Sequence, residues 1–471
     1  MMELILKETG VVFKTIEKNM FEKHCRNAIQ ETQEYLEALD IQLMESRDKN
    51  LFRHKGSKET TVKTVYGDVP YSRRVYETVD ENGERKYVYL LDEFLKIKHT
   101  GLISENLAEK IVSGITTKSY RDCADEVSET TAQNISAMGV WNLVQKVGEK
   151  LCEEEQRLVE QHKKNNCKGE TIAPVLFEES DGISLSMQGK DIKTTGHGRS
   201  EMKVSIAYRG WKKIAKNRHL LDGKVVCAGF ASRKKFYEIR EAKIASEYAL
   251  DETHVRLLNG DGASWIKKVP DKDTIFQLDP FHRNKAIKEK IHHTKARKDI
   301  MNLLQEEDIP EMFRYLELYR NSLDDDKEIA DAETLIKYFS ANADALIPYQ
   351  SRVMLPEQPE GIEYRNMGTM ENHMWSIIAR RMKHNHTSWS KQGANNLAKI
   401  LAKKSEGQLY KVTEKLKEQI VEADIEELPG DILQAKDNPE RIGKGYAYPI
   451  AGSLPYMAEA VRGHGHTAWY K

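Results

Sequence analysis

Three acidic residues are the best candidates for catalysis or metal binding. Each lies in or beside a different predicted strand or helix. Asp181 lies inside an apolar, strand-forming run over residues 175–187. Asp261 follows a second such run, 254–258, and Glu371 lies at the start of a predicted helix. An ionised carboxylate among apolar neighbours is unfavourable unless a cation or hydrogen bonds compensate it. Three carboxylates on separate elements would together suit a hard divalent cation.

Each candidate also has a simpler interpretation. An Asp-Gly pair after a strand, as at Asp261, is usually a turn, and Glu371 could merely cap a helix. Asp279 and His282 could cap the helix that follows them. Trp265 is typical of a packed aromatic. The chemical interpretation therefore depends on the fold bringing these residues together.

Composition limits the class of protein. The chain has 471 residues, of which 39% are hydrophobic and 31% charged, with a net charge of -1. This length predicts two to four domains, and no apolar run approaches the ~20 residues that span a bilayer. The start lacks a long apolar leader with a cleavage site. Five cysteines without a C-x-x-C pair indicate reduced thiols. We expect a cytoplasmic protein that does not associate with membranes.

The chain divides into five predicted regions. A helix occupies residues 1–50, and period-two patterns with turn residues predict a small β-meander over 51–100. Its basic and tyrosine side chains fit either a DNA contact or a solvated face. A helical region covers 101–165, an α/β domain covers 171–404 with a helical insertion at about 296–359, and a tail covers 405–471. The polar stretch 161–170 is the predicted domain boundary.

The middle of the helical region has the layout of a helix-turn-helix. Residues 119–127 form the first predicted helix, 128–131 the turn, and 132–141 the candidate recognition helix. Such helix pairs also occur as plain structural hairpins. The pattern favours DNA binding over that alternative.

From residue 175 onward, the order of elements indicates an α/β fold of the ribonuclease H-like type. Three predicted antiparallel strands come first, and strands then alternate with helices. This order would set the middle of the first strand beside the end of the fourth, so that Asp181 and Asp261 meet across neighbouring strands. A third carboxylate would come from a later helix, and Glu371 qualifies.

Several motifs carry a family resemblance. They are the strand with Asp181-Gly182, residues 259–265 (NGDGASW), 278–282 (LDPFH), 370–373 (MENH) and 387–390 (TSWS). Together they resemble bacterial insertion-sequence DDE transposases of the Lre type, whose core is similar to mutator-like transposases. The likeness covers most of the chain. Many DDE families have Lys or Arg seven residues after the glutamate, where this chain has Ile378, so Arg380 or Arg381 would take that role.

The resemblance implies a mechanism and its partners. Asp181, Asp261 and Glu371 would hold two Mg²⁺ (or Mn²⁺) ions for cleavage at element ends and strand transfer into target DNA. Asp279, His282 and Trp265 would be auxiliary, and the protein would act as a nucleoid-associated homodimer or higher oligomer on DNA. Basic clusters near each acidic element would contact phosphates: Arg209, Lys212, Lys213, Arg283, Lys285, Lys288, Arg380, Arg381 and Lys383.

Two other functions remain open at this stage. One is a non-catalytic DNA-binding regulator derived from a transposase, in which the carboxylates are structural. The other is a ribonuclease H-like nuclease that cleaves without strand transfer. The presence of all three carboxylates favours the transposase.

Overall fold

The structure is a computed structural model that describes residues 13–80, 83–95, 103–195, 198–267, 274–383 and 387–413. By its internal packing the chain forms two units, one of residues 1–147 with 409–471 and one of residues 148–408. The division falls inside the helix Ala137–Lys163, not in the polar stretch 161–170. Most of the predicted tail, 414–471, lies outside the described residues.

The first unit combines a long helix with a small sheet. The helix Phe13–Ser46 precedes three antiparallel strands in the order β1 (Arg53–Thr64), β2 (Gly67–Val79) and β3 (Arg85–Val88). The core between them contains Leu36, Val62, Val69, Tyr71 and Leu91. Two arginines of β2 form ion pairs inside the unit, Arg73 with Asp92 and Arg74 with Asp40. These pairings favour the structural interpretation of the meander over a DNA contact.

The helices that follow begin and end at different residues from those predicted. The first is Leu90–Leu95, and Glu105–Ile115, Tyr120–Thr130 and Ala137–Lys163 come after it. The predicted turn 128–131 is wrong, because the helix Tyr120–Thr130 continues through most of it. The predicted start of the next helix at residue 132 is also wrong, because that helix begins at Ala137. Residues 132–136 are irregular: Gln133 donates from its backbone to the Thr131 hydroxyl and from its amide to Asp68. Ser136 then caps the next helix by accepting from the N–H of Gly139 at 3.0 Å.

A five-stranded mixed sheet forms the centre of the second unit. Its strands are β4 (Val175–Ser186), β5 (Arg199–Tyr208), β8 (Val225–Gly229), β9 (Val255–Gly260) and β10 (Thr274–Leu278), in the spatial order β10-β9-β4-β5-β8. The pairs β4–β5 and β5–β8 are antiparallel, and β4–β9 and β9–β10 are parallel. Parallel pairing brings the carboxyl ends of β9 and β10 to the same edge.

Helices cover the sheet and form a second core beside β10. Arg233–Glu247 and Lys391–Ser405 pack against β8. The insertion consists of Thr294–Gln305, Ile309–Asn321 and Asp326–Ser340, packed with Pro280–Lys290 around residues such as Ile300 and Phe339. The helical spacing of the insertion predicts one continuous helix over 301–320. This prediction is wrong, because Asp308 caps a new helix that has Pro310 in its first turn.

Two short elements were not predicted. The hairpin of β6 (Gly210–Ala215) and β7 (Arg218–Asp222) lies between β5 and β8. A helical turn, Lys190–Thr195, occupies part of the polar segment between the first two strands, which predicts only a hairpin tip. Among the described residues, no helix combines the length and apolar composition needed to cross a bilayer.

Candidate active site

The sheet brings two of the candidate carboxylates to equivalent positions on adjacent strands. In the parallel pair β4–β9, Ser180 is the register partner of Gly260. Asp181 and Asp261 each follow one residue later. Asp181 is 9% exposed, and Asp261 is half-buried with its Oδ1 accepting from the N–H of Ala263 at 2.8 Å.

Glu371 belongs to a helix with an unusual turn. The helix starts at Met370–Met374, widens into a π-helical turn at Trp375–Ala379 and ends at Arg380–Met382. π-Helical turns often occur at functional sites. Glu371 is exposed, whereas Ile378 is fully buried. Burial explains why the position seven residues after Glu371 is apolar in this chain.

His282 connects Asp279 with Asp181. Asp279 caps the helix Pro280–Lys290 by accepting from the N–H of His282, and its Oδ2 lies 3.0 Å from Nδ1 of the same residue. The other ring nitrogen, Nε2, lies 4.0 Å from Oδ1 of Asp181. The hydrogen bond to Asp279 raises the pKa of His282, and the charge of Asp181 adds to the effect. The capping role expected for Asp279 therefore coexists with a contact to the candidate site.

The charges of Asp261 and Glu371 both act on Asp181. Burial raises the pKa of Asp181 to about 6, with further upward contributions from the charges of Asp261 and Glu371. His282 and the N–H of Gly182 act in the opposite direction. Burial would also raise the pKa of Asp279, but hydrogen bonds from His282 and Asn259 outweigh it and the pKa is lowered.

The three candidate carboxylates are chemically suited to bind a hard divalent cation. Carboxylate oxygens are the preferred ligands of Mg²⁺, and a cation beside Asp181 would offset the burial and repulsion that raise its pKa. Within the described ranges, however, no three or more His, Cys, Asp or Glu side chains are arranged as a group that could hold a metal ion. Asp181, Asp261 and Glu371 thus approach one another without forming a ligand cluster.

Two buried glutamates in β4 were not among the residues predicted to be functional. Glu178 and Glu179 are both fully buried. Glu178 lies 2.7 Å from Arg256 of β9, which also pairs with Glu241. Glu179 accepts instead from Asn259 at 3.1 Å. The alternation of a strand was the available signal, since it puts Glu179 and Asp181 on one face and Glu178 on the other.

Asn259 connects Glu179 to the His282 pair. Its Nδ2 donates to Glu179 and also to Oδ1 of Asp279, the latter at 2.8 Å. A continuous set of polar contacts therefore joins Glu179, Asn259, Asp279, His282 and Asp181. Asn259 and Asp261 are two residues apart in sequence, so the end of β9 contributes to both the network and the candidate site.

Six of the nine basic residues predicted to contact DNA are exposed, and the other three are ion-paired, half-buried or buried. The exposed ones are Lys212, Lys213, Lys285, Lys288, Arg380 and Lys383. Arg209 is paired with Asp222, and Arg283 is half-buried and donates to the carbonyl of Leu346. Arg381 is buried with its guanidinium over the ring of Trp389. Its burial counts against a contact with phosphate, and its assignment to a DNA-contacting surface stays a prediction.

Trp265 packs beside the sheet. Its ring meets Phe236 edge-on at 5.5 Å between centroids, and Nζ of Lys203 lies 5.7 Å from the ring centroid. Both contacts are those of a packed aromatic. The auxiliary role expected for Trp265 remains a prediction.

Comparison with known proteins assigns the chain to a family. Residues 6–419 match the family described as "Uncharacterised protein family (UPF0236)", and the chain belongs to that family. UPF0236 protein TTE2489 of Caldanaerobacter subterraneus subsp. tengcongensis is 23% identical over 392 residues, covering 81% of this chain and 76% of its own length. A second UPF0236 protein of that organism, whose name joins eleven TTE designations, is 24% identical over 390 residues, covering 81% of this chain and 75% of its own length.

Proposed function

We propose that the protein is a DDE-type DNA transposase with a ribonuclease H-like catalytic domain, which cleaves DNA at element ends and transfers the ends into target DNA. The observation that carries the proposal is the register of the parallel pair β4–β9, which sets Asp181 and Asp261 one residue beyond the partners Ser180 and Gly260. The charge of Glu371, which lies on a helix more than 100 residues further along, also contributes to the raised pKa of Asp181. Acidic residues brought together from positions so far apart in sequence are what a composite active site requires.

The names of the relatives add independent support. One protein of a single organism carries eleven designations, and another carries four. Several designations for one protein are expected when a coding sequence is present in several copies. Repeated copies are what an element that moves in DNA leaves behind.

In this mechanism Asp181, Asp261 and Glu371 would hold two Mg²⁺ or Mn²⁺ ions. When bound, such ions lower the pKa of a water or hydroxyl nucleophile and stabilise charge on the phosphate. The protein's own part is to keep Asp181 ionised and oriented, which His282 supports from 4.0 Å. The exposed lysines of the β6–β7 hairpin and of the helix Pro280–Lys290 would bind the DNA backbone.

A second candidate function, a non-catalytic DNA-binding regulator, is favoured by one observation. The described carboxylates are not arranged as a ready metal-binding group. A regulator would bind DNA equally well with or without Mg²⁺ and would leave it intact.

The test uses the full chain and labelled DNA taken from either side of its coding sequence, with a plasmid as target and Mg²⁺ or EDTA. A transposase nicks the flanking DNA and joins it to the plasmid only with Mg²⁺. Asp181→Asn, Asp261→Asn and Glu371→Gln should each abolish both steps and retain DNA binding, with losses that are similar and not additive. Binding without cleavage by the unaltered protein would indicate the regulator, and cleavage without joining would indicate a nuclease.

A further inference from the structure

Glu179 contacts the first turn of the helix that carries Glu371. Its Oε1 accepts from the hydroxyl of Thr369 at 2.7 Å. Its Oε2 accepts from the backbone N–H groups of Gly368 at 3.0 Å, Thr369 at 2.9 Å and Met370 at 3.2 Å. Such N–H groups at a helix start need acceptors from outside the helix, and Glu179 supplies them from β4.

The backbone at Gly368 makes this contact possible. Gly368 has φ +115°, a conformation that side-chain-bearing residues rarely adopt. It turns the chain so that three successive N–H groups face one carboxylate. An extended approach to the helix would direct alternate N–H groups to opposite sides.

Two further donors fix the carboxylate from the sheet side. Tyr208 of β5 donates its hydroxyl to Oε1 at 2.6 Å, and Asn259 of β9 donates to Oε2 at 3.1 Å. Burial raises the pKa of Glu179, and these hydrogen bonds together with those from Thr369 and Gly368 offset only part of the rise. An ionised carboxylate has about four lone-pair sites and no proton. It is therefore suited to a position surrounded only by donors.

The position of Glu179 relates the two halves of the candidate site. Glu179 and Asp181 share one face of β4 because they are two residues apart. On the other side, Met370, whose N–H reaches Glu179, directly precedes Glu371. One buried carboxylate thus joins the strand that carries Asp181 to the helix that carries Glu371.

We propose that Glu179 is a positioning residue that holds Glu371 within reach of Asp181, so that the two carboxylates can share a cation. The proposal rests on the function proposed above. Glu179 itself is fully buried and acts through the helix start, without touching substrate.

Glu178 provides a matched control, because it is the neighbouring residue of the same strand and is equally buried. Its partners are Arg256 and Arg240, at 2.7 Å and 3.5 Å. Glu178→Gln converts a buried carboxyl group of β4 into an amide, as Glu179→Gln does, but leaves the contact with the helix start intact. Any general effect of this change in a buried side chain should appear in both variants.

The first measurement is hydrogen–deuterium exchange of a peptide spanning residues 366–376 in the metal-free full-length protein. In Glu179→Gln one neutral amide oxygen and one donating –NH₂ group replace the two carboxylate oxygens, so the hydrogen bonds from the amides of Gly368, Thr369 and Met370 are weakened or partly lost. Exchange should then accelerate roughly tenfold or more. Glu178→Gln should leave the exchange of this peptide unchanged. Equal exchange in Glu179→Gln and the unaltered protein would overturn the proposal, whatever the protein does to DNA.

The second measurement is the Mg²⁺ concentration that gives half-maximal nicking. Removing a group that orients a metal ligand typically costs 10–100-fold in metal affinity or activity, so Glu179→Gln should raise this concentration about tenfold or more. Glu178→Gln should lower thermal stability without changing the Mg²⁺ requirement. A normal Mg²⁺ requirement in a folded Glu179→Gln protein would refute the positioning role.

A milder pair of variants covers the case in which Glu179→Gln does not fold. Thr369→Val removes only the hydroxyl that donates to Glu179, and Thr369→Ser retains it. The valine variant should show faster exchange and a raised Mg²⁺ requirement, and the serine variant should restore both. If the unaltered protein does not nick DNA at all, the proposed function fails, while the exchange measurement still decides whether Glu179 holds the helix.

Discussion

Nε2 of His282 lies 4.0 Å from Oδ1 of Asp181, while Nδ1 of the same ring is hydrogen-bonded to Asp279. The ring therefore stands between one carboxylate that caps a helix and one that belongs to the candidate site. Its positive charge compensates part of the cost of burying Asp181. Two predictions about stability follow from this arrangement, and both apply to the protein with metal removed by a chelator.

Asp181→Asn should stabilise the metal-free protein at neutral pH. The folded-state pKa of about 6 lies above the ordinary value of 3.8, and a difference of this size corresponds to at most about 3 kcal/mol. Because the pKa is raised, ionisation of Asp181 costs stability as pH rises from about 4 to about 6, and the cost persists above that. Urea unfolding at pH 7.5 should show the gain, and it should shrink toward zero near pH 4. A variant that is less stable at both pH values would show that ionisation of the buried Asp181 side chain does not cost stability.

His282→Ala should have the opposite pH dependence. The raised pKa of His282 means that its charged form stabilises the fold below its ordinary value of 6.5, and that this contribution is lost as pH rises through the folded-state pKa. The variant should therefore lose more stability, relative to the unaltered protein, at pH 5.5 than at pH 8.5. Parallel urea unfolding at the two pH values measures the difference. An equal loss at both would mean that only packing of the ring matters.

The strands of the candidate site could be predicted from sequence because each contains enough apolar residues to be recognised despite the polar residues between them. The run 175–187 corresponds to Val175–Ser186, and the apolar run 274–278, which also predicts a strand, is Thr274–Leu278. The β6–β7 hairpin was missed because Gly210 and Trp211 are the only buried residues of its two strands, so no alternating pattern is present. Trp211 packs against Phe177 and Tyr208, and such packing is not visible in a local pattern.

The position of Asp181 and Asp261 follows from strand order, but the role of Glu179 does not. Its donors come from residues 208, 259 and 368–370, which are brought together only by the folded sheet. Likewise, the end of the helix Tyr120–Thr130 depends on Thr131, whose hydroxyl donates to the carbonyl of Val127 at 2.6 Å. Side-chain contacts of this kind decide helix limits that periodicity leaves ambiguous.

The start of the helix Ala137–Lys163 should determine DNA sequence preference. Met138, Trp141 and Asn142 are exposed there, and an amide such as that of Asn142 can recognise adenine, which is worth about 1–3 kcal/mol. Asn142→Ala should lower the ratio of flanking-DNA to random-DNA affinity by roughly 5- to 150-fold without changing its salt dependence. Competition binding at two salt concentrations measures both quantities. An unchanged ratio would exclude Asn142 from recognition.

Lys212 and Lys213 should contribute affinity without sequence preference. Both are exposed on β6, where they can approach phosphates but are not held in a fixed geometry. Lys212→Ala and Lys213→Ala together should weaken binding to flanking and random DNA by similar factors, and should reduce the slope of log affinity against log salt by about 2. Lys327→Ala is a matched control, since Lys327 is exposed in the insertion among Asp324, Asp325 and Asp326 and should have no effect. If the double variant changed only the binding of flanking DNA, the hairpin would contact bases, and the assignment of these lysines to the backbone would be wrong.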